Sequence, residues 1–352
     1  MQPSNRLSLD YNALALGFKQ HRAPIIDLHS HIHGAAATRI YSEVALRYGI
    51  GTTYSMTMLE SIPTVREILG DRINFIAVPD FSNKDRLSAM GCDYPARIKA
   101  YKDQGARIAK FWSAPRIYEA SSEPFASNPL RLNSPLRMEG MQAAQDLGMV
   151  CMAHVGDPDT WFSTKYWDSL RYGTKLEQYE LFEEVLERFQ SPWIAAHMGG
   201  YPEDLEFLSR LLARHNNLYL DCSATKWIVR ELSKHPPETI RAFFMRWRGR
   251  ILFGSDIVTS DAHVTAEQSA GEMDAKASSS MEAYDLYASR YWGLRTLLET
   301  NYCGESPIAD PDLHLVDPVR YTPLDAPTLR GFNLPEEDLE ILYWGAAQRL
   351  LK

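Results

Sequence analysis

Eight short apolar runs punctuate this chain, and the intervals between them constrain its fold more than any other feature. The runs cover residues 24–28, 51–56, 73–78, 106–111, 149–154, 193–197, 218–221 and 251–253. Such lengths suit strands buried on both faces. Helical patterns fill several intervals. Ser134-Pro135 opens one that runs toward Gly148, and 176–189 has apolar residues three and four apart. The stretch 202–215 starts with Glu203 and Asp204, where a helix dipole favours acid, and 236–246 starts at a proline. Strands alternating with helices give parallel βα units, and eight such units make a (β/α)8 barrel. The expectation is an α/β chain forming one domain over 1–352. Its barrel spans about 24–300, with a C-terminal helical extension over about 301–352. That extension follows a long helix at 281–300. It comprises a polar, proline-rich stretch at 301–328 and a closing helix at 335–350.

Three long connections follow strand ends: 113–133, 156–174 and 257–281. In a barrel such loops lie on the face where chemistry is done. The first is rich in Pro, Ser and Asn. The second carries Trp161, Phe162, Tyr166 and Trp167. The third is polar and rich in Ser and Ala, the composition of a mobile loop.

The formal charge of −8 argues against nucleic acid or an anionic membrane surface as partner. It leaves room for an anionic small molecule, because a metal or arginine dominates a small site. The start of the chain lacks the apolar core of a secretory leader, and no stretch approaches the ~20 apolar residues of a membrane span. Cys92, Cys151, Cys222 and Cys303 are far apart, and Cys151 and Cys222 read as buried thiols. These features suit a cytoplasmic protein. A homodimer is the base-rate expectation, with 281–300 as a candidate interface.

Candidate metal ligands stand at the ends of the apolar runs. In Ile26-Asp27-Leu28-His29-Ser30-His31-Ile32-His33, a strand projects His29 and His31 to the same face. Neutral imidazole is the commonest protein ligand for zinc and its neighbours. Lys110 ends GARIAK, His154 ends MVCMAH, His197 ends WIAAH and Asp256 ends ILFGSD. Singly, each has an ordinary structural reading as a core histidine, a helix-capping Asp or a lysine reaching solvent. An imidazole at a buried strand end needs a polar partner, and one cation satisfies several at once. Their joint occurrence in barrel order favours a metal site. Asp27 lies one position off the His29/His31 face and suits barrel structure or support of a ligand. His33, followed by Gly34, reads as loop.

The pieces IDLHSH, AHVGDP, AAHMGG and ILFGSD, with the closing NLPEEDLEILYWGAAQRLLK, resemble the amidohydrolase superfamily. Within it they are similar to the amidohydrolase-2 branch, which includes aminocarboxymuconate-semialdehyde decarboxylase. The likeness runs from about Pro24 to Leu351. Gly345-Ala346-Ala347 departs from the Asn-Ala that relatives often carry there. The resemblance implies a distorted TIM barrel with one or two divalent ions at its C-terminal mouth, zinc first and manganese second. It implies His29, His31 and His154 as ligands and Asp256 as ligand and proton shuttle. It implies His197 as a second-metal ligand or, in one-metal relatives, a polarising residue. Lys110 stands where many two-metal relatives carry a bridging carbamate. An unmodified lysine, reaching solvent or holding a substrate anion, is the alternative.

Trp112 and Arg116 follow Lys110, and Arg116 offers a planar fork for a carboxylate or a plain surface charge. Trp161 and its aromatic neighbours wall a pocket or pack their own loop. Lys165 and Lys226 are further anion contacts or surface charges. A divalent metal brings the pKa of its water toward ~7, and a carboxylate such as Asp256 takes and returns the proton. The expected protein is a metal-dependent hydrolase of an amide, ester or lactone in a small molecule. The alternatives are a nonoxidative decarboxylase of an aromatic or unsaturated acid and a noncatalytic metal-binding barrel.

Overall fold

A computed structural model describes residues 2–265 and 276–352. The strands are β1 (Ile25–His31), β2 (Ile50–Ser55), β3 (Ile73–Ala77), β4 (Ile108–Trp112), β5 (Val150–His154), β6 (Trp193–Ala195), β7 (Leu218–Asp221) and β8 (Ile251–Leu252). Helices α1 (Ala35–Arg47), α2 (Ile62–Leu69), α3 (Tyr94–Asp103), α4 (Pro135–Asp146), α5 (Lys175–Arg188) and α6 (Leu205–Arg214) fill the successive intervals. Then come α7 (Thr225–Leu232), α8 (Pro237–Arg246) and α9 (Ser280–Glu299). This alternation is that of a distorted TIM barrel.

Local chemistry explains the helix starts. The Ser134 side chain accepts from Arg137 N ahead of α4, with Pro135 in its first turn. Thr174 and Glu177 form a reciprocal capping box at α5. Asp204 caps α6 by accepting from Phe207 N, and Leu205, Leu208, Leu211 and Leu212 form its buried stripe. The helical pattern read at 202–215 therefore begins three residues later, because Asp204 is the cap.

The chain divides into two compact units. The first comprises Met1–Asn74 and Cys222–Arg349. Here β1 pairs in parallel with β2, Ile26 opposite Thr52 and Ser30 opposite Ser55. On its other side β1 pairs with β9 (Ile257–Val258), Ser30 opposite Ile257 and His31 opposite Val258. That strand was not expected, because two residues are too few for an apolar run to register. Leu28 N donates to Phe253 O at 2.9 Å, so the end of β8 also lies against β1. The second unit comprises Phe75–Asp221 and Leu350–Lys352. It holds a parallel ladder in which Ile76 faces Ile108, Ala109 faces Cys151, Met152 faces Ile194 and Ile194 faces Tyr219.

Several expectations need correction. The sixth strand stops at Ala195, so His197 lies beyond it in a turn where His197 and Met198 adopt left-handed conformations. Helix α9 is buried along most of its length, from Ala283 to Leu298, and so forms core in its own unit. The extension adds features the sequence reading did not give. Cys303–Glu305 pairs antiparallel with Thr328–Arg330, and the closing helix carries a π turn at Ile341–Gly345. The loop expected to be mobile has a short turn at Asp261–Val264, and its part at 266–275 lies outside the described residues. Cys151 and Cys222 are buried and unbridged, while Cys92 and Cys303 are exposed. Among the described residues, no helix is long and apolar enough to cross a membrane.

Candidate metal centre

β1 extends through His31, so the two-residue period sends His29 and His31 to one face. His29 is buried and His31 is partly open. The turn after β8 packs directly on this face. A Cβ on Gly254 would lie 2.8 Å from His29 Cβ, which only glycine tolerates. Two residues on, Asp256 N donates to His29 O at 2.7 Å. Asp256 holds φ 58°, a left-handed conformation costing a non-glycine residue on the order of 1–3 kcal/mol. That backbone delivers its carboxylate to the histidines. Asp256 Oδ1 lies 3.4 Å from His29 Nε2 and 3.3 Å from His31 Nε2.

These donors fit a divalent ion. Ligands ~2.0–2.1 Å from a tetrahedral centre stand about 3.3 Å from one another, the spacing found here. Two imidazoles and a carboxylate also match the donor types of zinc and manganese. The other nitrogen of His29 is already oriented, since Ser223 Oγ lies 3.1 Å from Nδ1. A partner on one nitrogen aims the other at a cation.

Asp27 braces this corner, as its off-face position suggested. It is fully buried. Its Oδ1 accepts from His29 N at 3.1 Å and Ser255 N at 3.0 Å. Its Oδ2 accepts from Ser255 Oγ at 2.6 Å and Tyr291 OH at 2.7 Å. Burial pushes its carboxyl up to about 6, and those four donors hold it from rising further. His33 lies past β1, as expected, with its N–H on Thr259 Oγ1 at 2.8 Å.

The second unit brings His154 and His197 together, with His197 Nε2 3.2 Å from His154 Nδ1. Asp157 Oδ1 meets His154 Nε2 at 3.0 Å, and Tyr166 OH donates to Asp157 Oδ2 at 2.9 Å. An ionised carboxylate only accepts, so His154 carries a proton on Nε2, and with both rings neutral its Nδ1 accepts from His197 Nε2–H. The lone pair of the pair's other ring then resides on His197 Nδ1. His197 N donates to Asp221 Oδ1 at 2.9 Å, which anchors the left-handed turn. Gly200 lets that turn approach AHVGDP, since a Cβ there would lie 2.8 Å from Gly156 N. Asp157 and Asp221 escaped the sequence reading, and Tyr166 was read only as one of the loop aromatics. Asp157 stands inside AHVGDP, three residues past His154, and that spacing was its one visible signal.

Lys110 is buried on β4, opposite Met152, with Trp112 opposite His154. The strand period puts Lys110, Trp112 and His154 on one side of this ladder. Trp112 also packs edge-on against Phe81, their ring centroids 6.4 Å apart. Arg116 is exposed and lies 3.7 Å from Glu119, the surface alternative of its two readings. Trp161 packs within its loop on Tyr166, ring centroids 6.1 Å apart, and Lys165 Nζ sits 3.4 Å over its ring. Among the described residues its buried indole N–H has no hydrogen-bond partner.

The chain is similar to several known structures at low identity. An amidohydrolase of Burkholderia multivorans is 13% identical, with TM-score 0.46 over 94% of this chain and 99% of that chain. A 2,6-dihydroxybenzoate decarboxylase from Rhizobium is 13% identical, with TM-score 0.43 over 75% and 98%. A probable 2-pyrone-4,6-dicarboxylic acid hydrolase of Acinetobacter baumannii is 12% identical, with TM-score 0.43 over 66% and 83%. No curated protein matches the chain. The amidohydrolase-2 family model, described as amidohydrolase, matches residues 96–352 and so takes in AHVGDP, AAHMGG, ILFGSD and the closing helix. With nearly three quarters of its length inside that match, the chain belongs to the amidohydrolase-2 family.

Proposed function

We propose that this protein is a metal-dependent hydrolase that cleaves an amide, ester or lactone in a small molecule in the cytoplasm. The observation that carries this reading is the meeting of His29, His31 and Asp256 at ligand spacing. A divalent ion held there, zinc or manganese, supplies Lewis acidity toward a carbonyl or carboxylate oxygen and lowers the pKa of water. The chain's own residues do the rest. His29 and His31 hold their lone pairs on one point. Asp256, partly open to solvent, takes a proton from water and passes it to the leaving group. Ser223 keeps the His29 ring from turning away, and Asp27 holds the His29 backbone. His154, His197 and Lys110 enter this reading on the family pattern: His154 as a ligand, His197 as a ligand or polarising group, Lys110 as a bridging carbamate. The hydrogen bonds around His154 favour His197 Nδ1 as the donor of that pair.

Nonoxidative decarboxylation is the second reading. It needs one ion, and a three-donor cluster supports one ion as readily as it supports hydrolysis. The test is turnover of the metal-loaded protein on esters, lactones, amides and aromatic acids in water labelled with heavy oxygen. Label in the product supports the hydrolase. Carbon dioxide release without label overturns it in favour of the decarboxylase. Full turnover after chelation contradicts both.

A further inference from the structure

Lys226 and Arg290 bring two cations into the first unit, and among the described residues neither makes an ion pair. The helices that carry them, α7 and α9, pack together. Gly293 sets that approach, since a Cβ there would lie 3.2 Å from Thr225 Cγ2. Arg290 is three residues before Gly293, on the same helical face, and Lys226 is next to Thr225. Thr225 Oγ1 in turn lies 3.4 Å from Ser255 O, the residue before Asp256. Ala224 enters α7 at φ 66°, a left-handed conformation that a non-glycine residue adopts only under constraint. One corner of the fold therefore gathers Lys226, Arg290 and the backbone that carries Asp256.

The described carboxylates around this corner are committed elsewhere. Arg230 Nη1 takes Asp310 Oδ2 at 2.5 Å and Asp312 Oδ2 at 3.2 Å. Glu231 divides between Arg230 Nε at 2.7 Å and Lys234 Nζ at 2.6 Å. Asp256 faces the two histidines. Among the described residues, Arg290 hydrogen-bonds Ser289 Oγ at 3.2 Å and makes no ion pair, and Lys226 makes neither kind of contact. Both side chains are partly buried. Burial pulls the Lys226 ammonium below its usual range, Arg290 pushes the same way, and Asp310 and Asp312 oppose. Burial likewise pulls the Arg290 guanidinium down to about 10, against the pull of Tyr11, Asp256 and Asp310. Two like charges sharing a desolvated corner are costly, and an arriving anion relieves both.

We propose that Lys226 and Arg290 form a subsite for a carboxylate of the substrate, distinct from the group that reacts beside Asp256. This rests on reading Asp256 as part of the reaction centre. It narrows the substrate class to acids in which one carboxylate anchors the molecule while another group, an acyl bond or a second carboxylate, meets the metal. Arg290 supplies a planar fork and Lys226 a point charge, a pair suited to a small oxyanion.

Calorimetric titration of the zinc-loaded full chain tests this. The probes are linear dicarboxylates from malonate to adipate, each set against the monocarboxylate of the same carbon number. At least one dicarboxylate binds about tenfold tighter than its monocarboxylate, the worth of one charge-assisted contact. Lys226→Met and Arg290→Gln each erase that advantage with zinc stoichiometry unchanged, and Arg290→Lys restores part of it. Equal affinities throughout the series overturn the proposal, as does an advantage that survives both substitutions. If Arg290→Gln unfolds, Lys226→Met decides alone. If the wild-type chain takes up no zinc, the metal-dependent reading fails separately. Butyrate titrated into the zinc-free chain then reports on the subsite: severalfold weaker binding in the Lys226→Met chain supports it, and equal binding overturns it.

Discussion

The proposed chemistry of this chain concentrates in Asp256. Its left-handed backbone, its N–H on His29 O and its carboxylate at 3.3–3.4 Å from two imidazoles form one arrangement. Asp256→Asn keeps the shape and removes the proton acceptor, so kcat falls about 10²–10⁴-fold with the fold intact. A variant turning over at the wild-type rate would sink the assigned role. Asp157 acts one step further out, by fixing which nitrogen of His154 carries the proton. An amide at that position presents a donor or an acceptor equally well and releases the choice. Asp157→Asn therefore costs about 10–100-fold in kcat/KM or metal affinity, read by steady-state kinetics and metal titration. His29 and His31 were legible because a strand's period is two and they stand two apart. Asp157 was harder to see, because its partner is decided by how the chain turns after β5.

At the scale of elements, the segment before β1 is pinned by His21. Its Nδ1 lies 3.1 Å from Glu336 Oε1 and its Nε2 3.4 Å from Glu299 Oε1. Burial alone lowers the imidazole's pKa, but the two carboxylates outweigh it and the net shift is upward. The protonated form is therefore favoured by folding. Its stabilisation is fully present below the unfolded value of about 6.5 and is lost as pH rises through the raised folded value. Thermal unfolding followed across that window should show Tm falling with pH in the wild type and a flatter profile in His21→Gln. Identical profiles would remove His21 from the account. The main helices were readable from their caps, since Ser134, Thr174 and Asp204 bond within their own first turns. The two-residue strand β9 and the kinked turn after β6 were not. Both are imposed by neighbours: β9 by its ladder to β1, the turn by Asp221 holding His197 N.

For the whole molecule, a cation that binds only the folded chain must stabilise it. Zinc at about a hundred times its dissociation constant adds about 2.7 kcal/mol, enough to raise Tm by several degrees, and a chelator reverses the gain. No shift with zinc or manganese would contradict the centre at His29, His31 and Asp256. The sequence by itself determined the alternation of strands and helices, the ligand-type residues at strand ends and the family, because periodicity and residue type are local properties. Only the tertiary structure decided which groups meet. It turned His197 off its strand, gave Asp157 to His154, left Arg116 at the surface and packed the helix of Lys226 on that of Arg290 where Gly293 admits Thr225. Those outcomes depend on contacts between segments far apart in the chain, whose closeness is set by side-chain volume and backbone approach and by nothing written beside them.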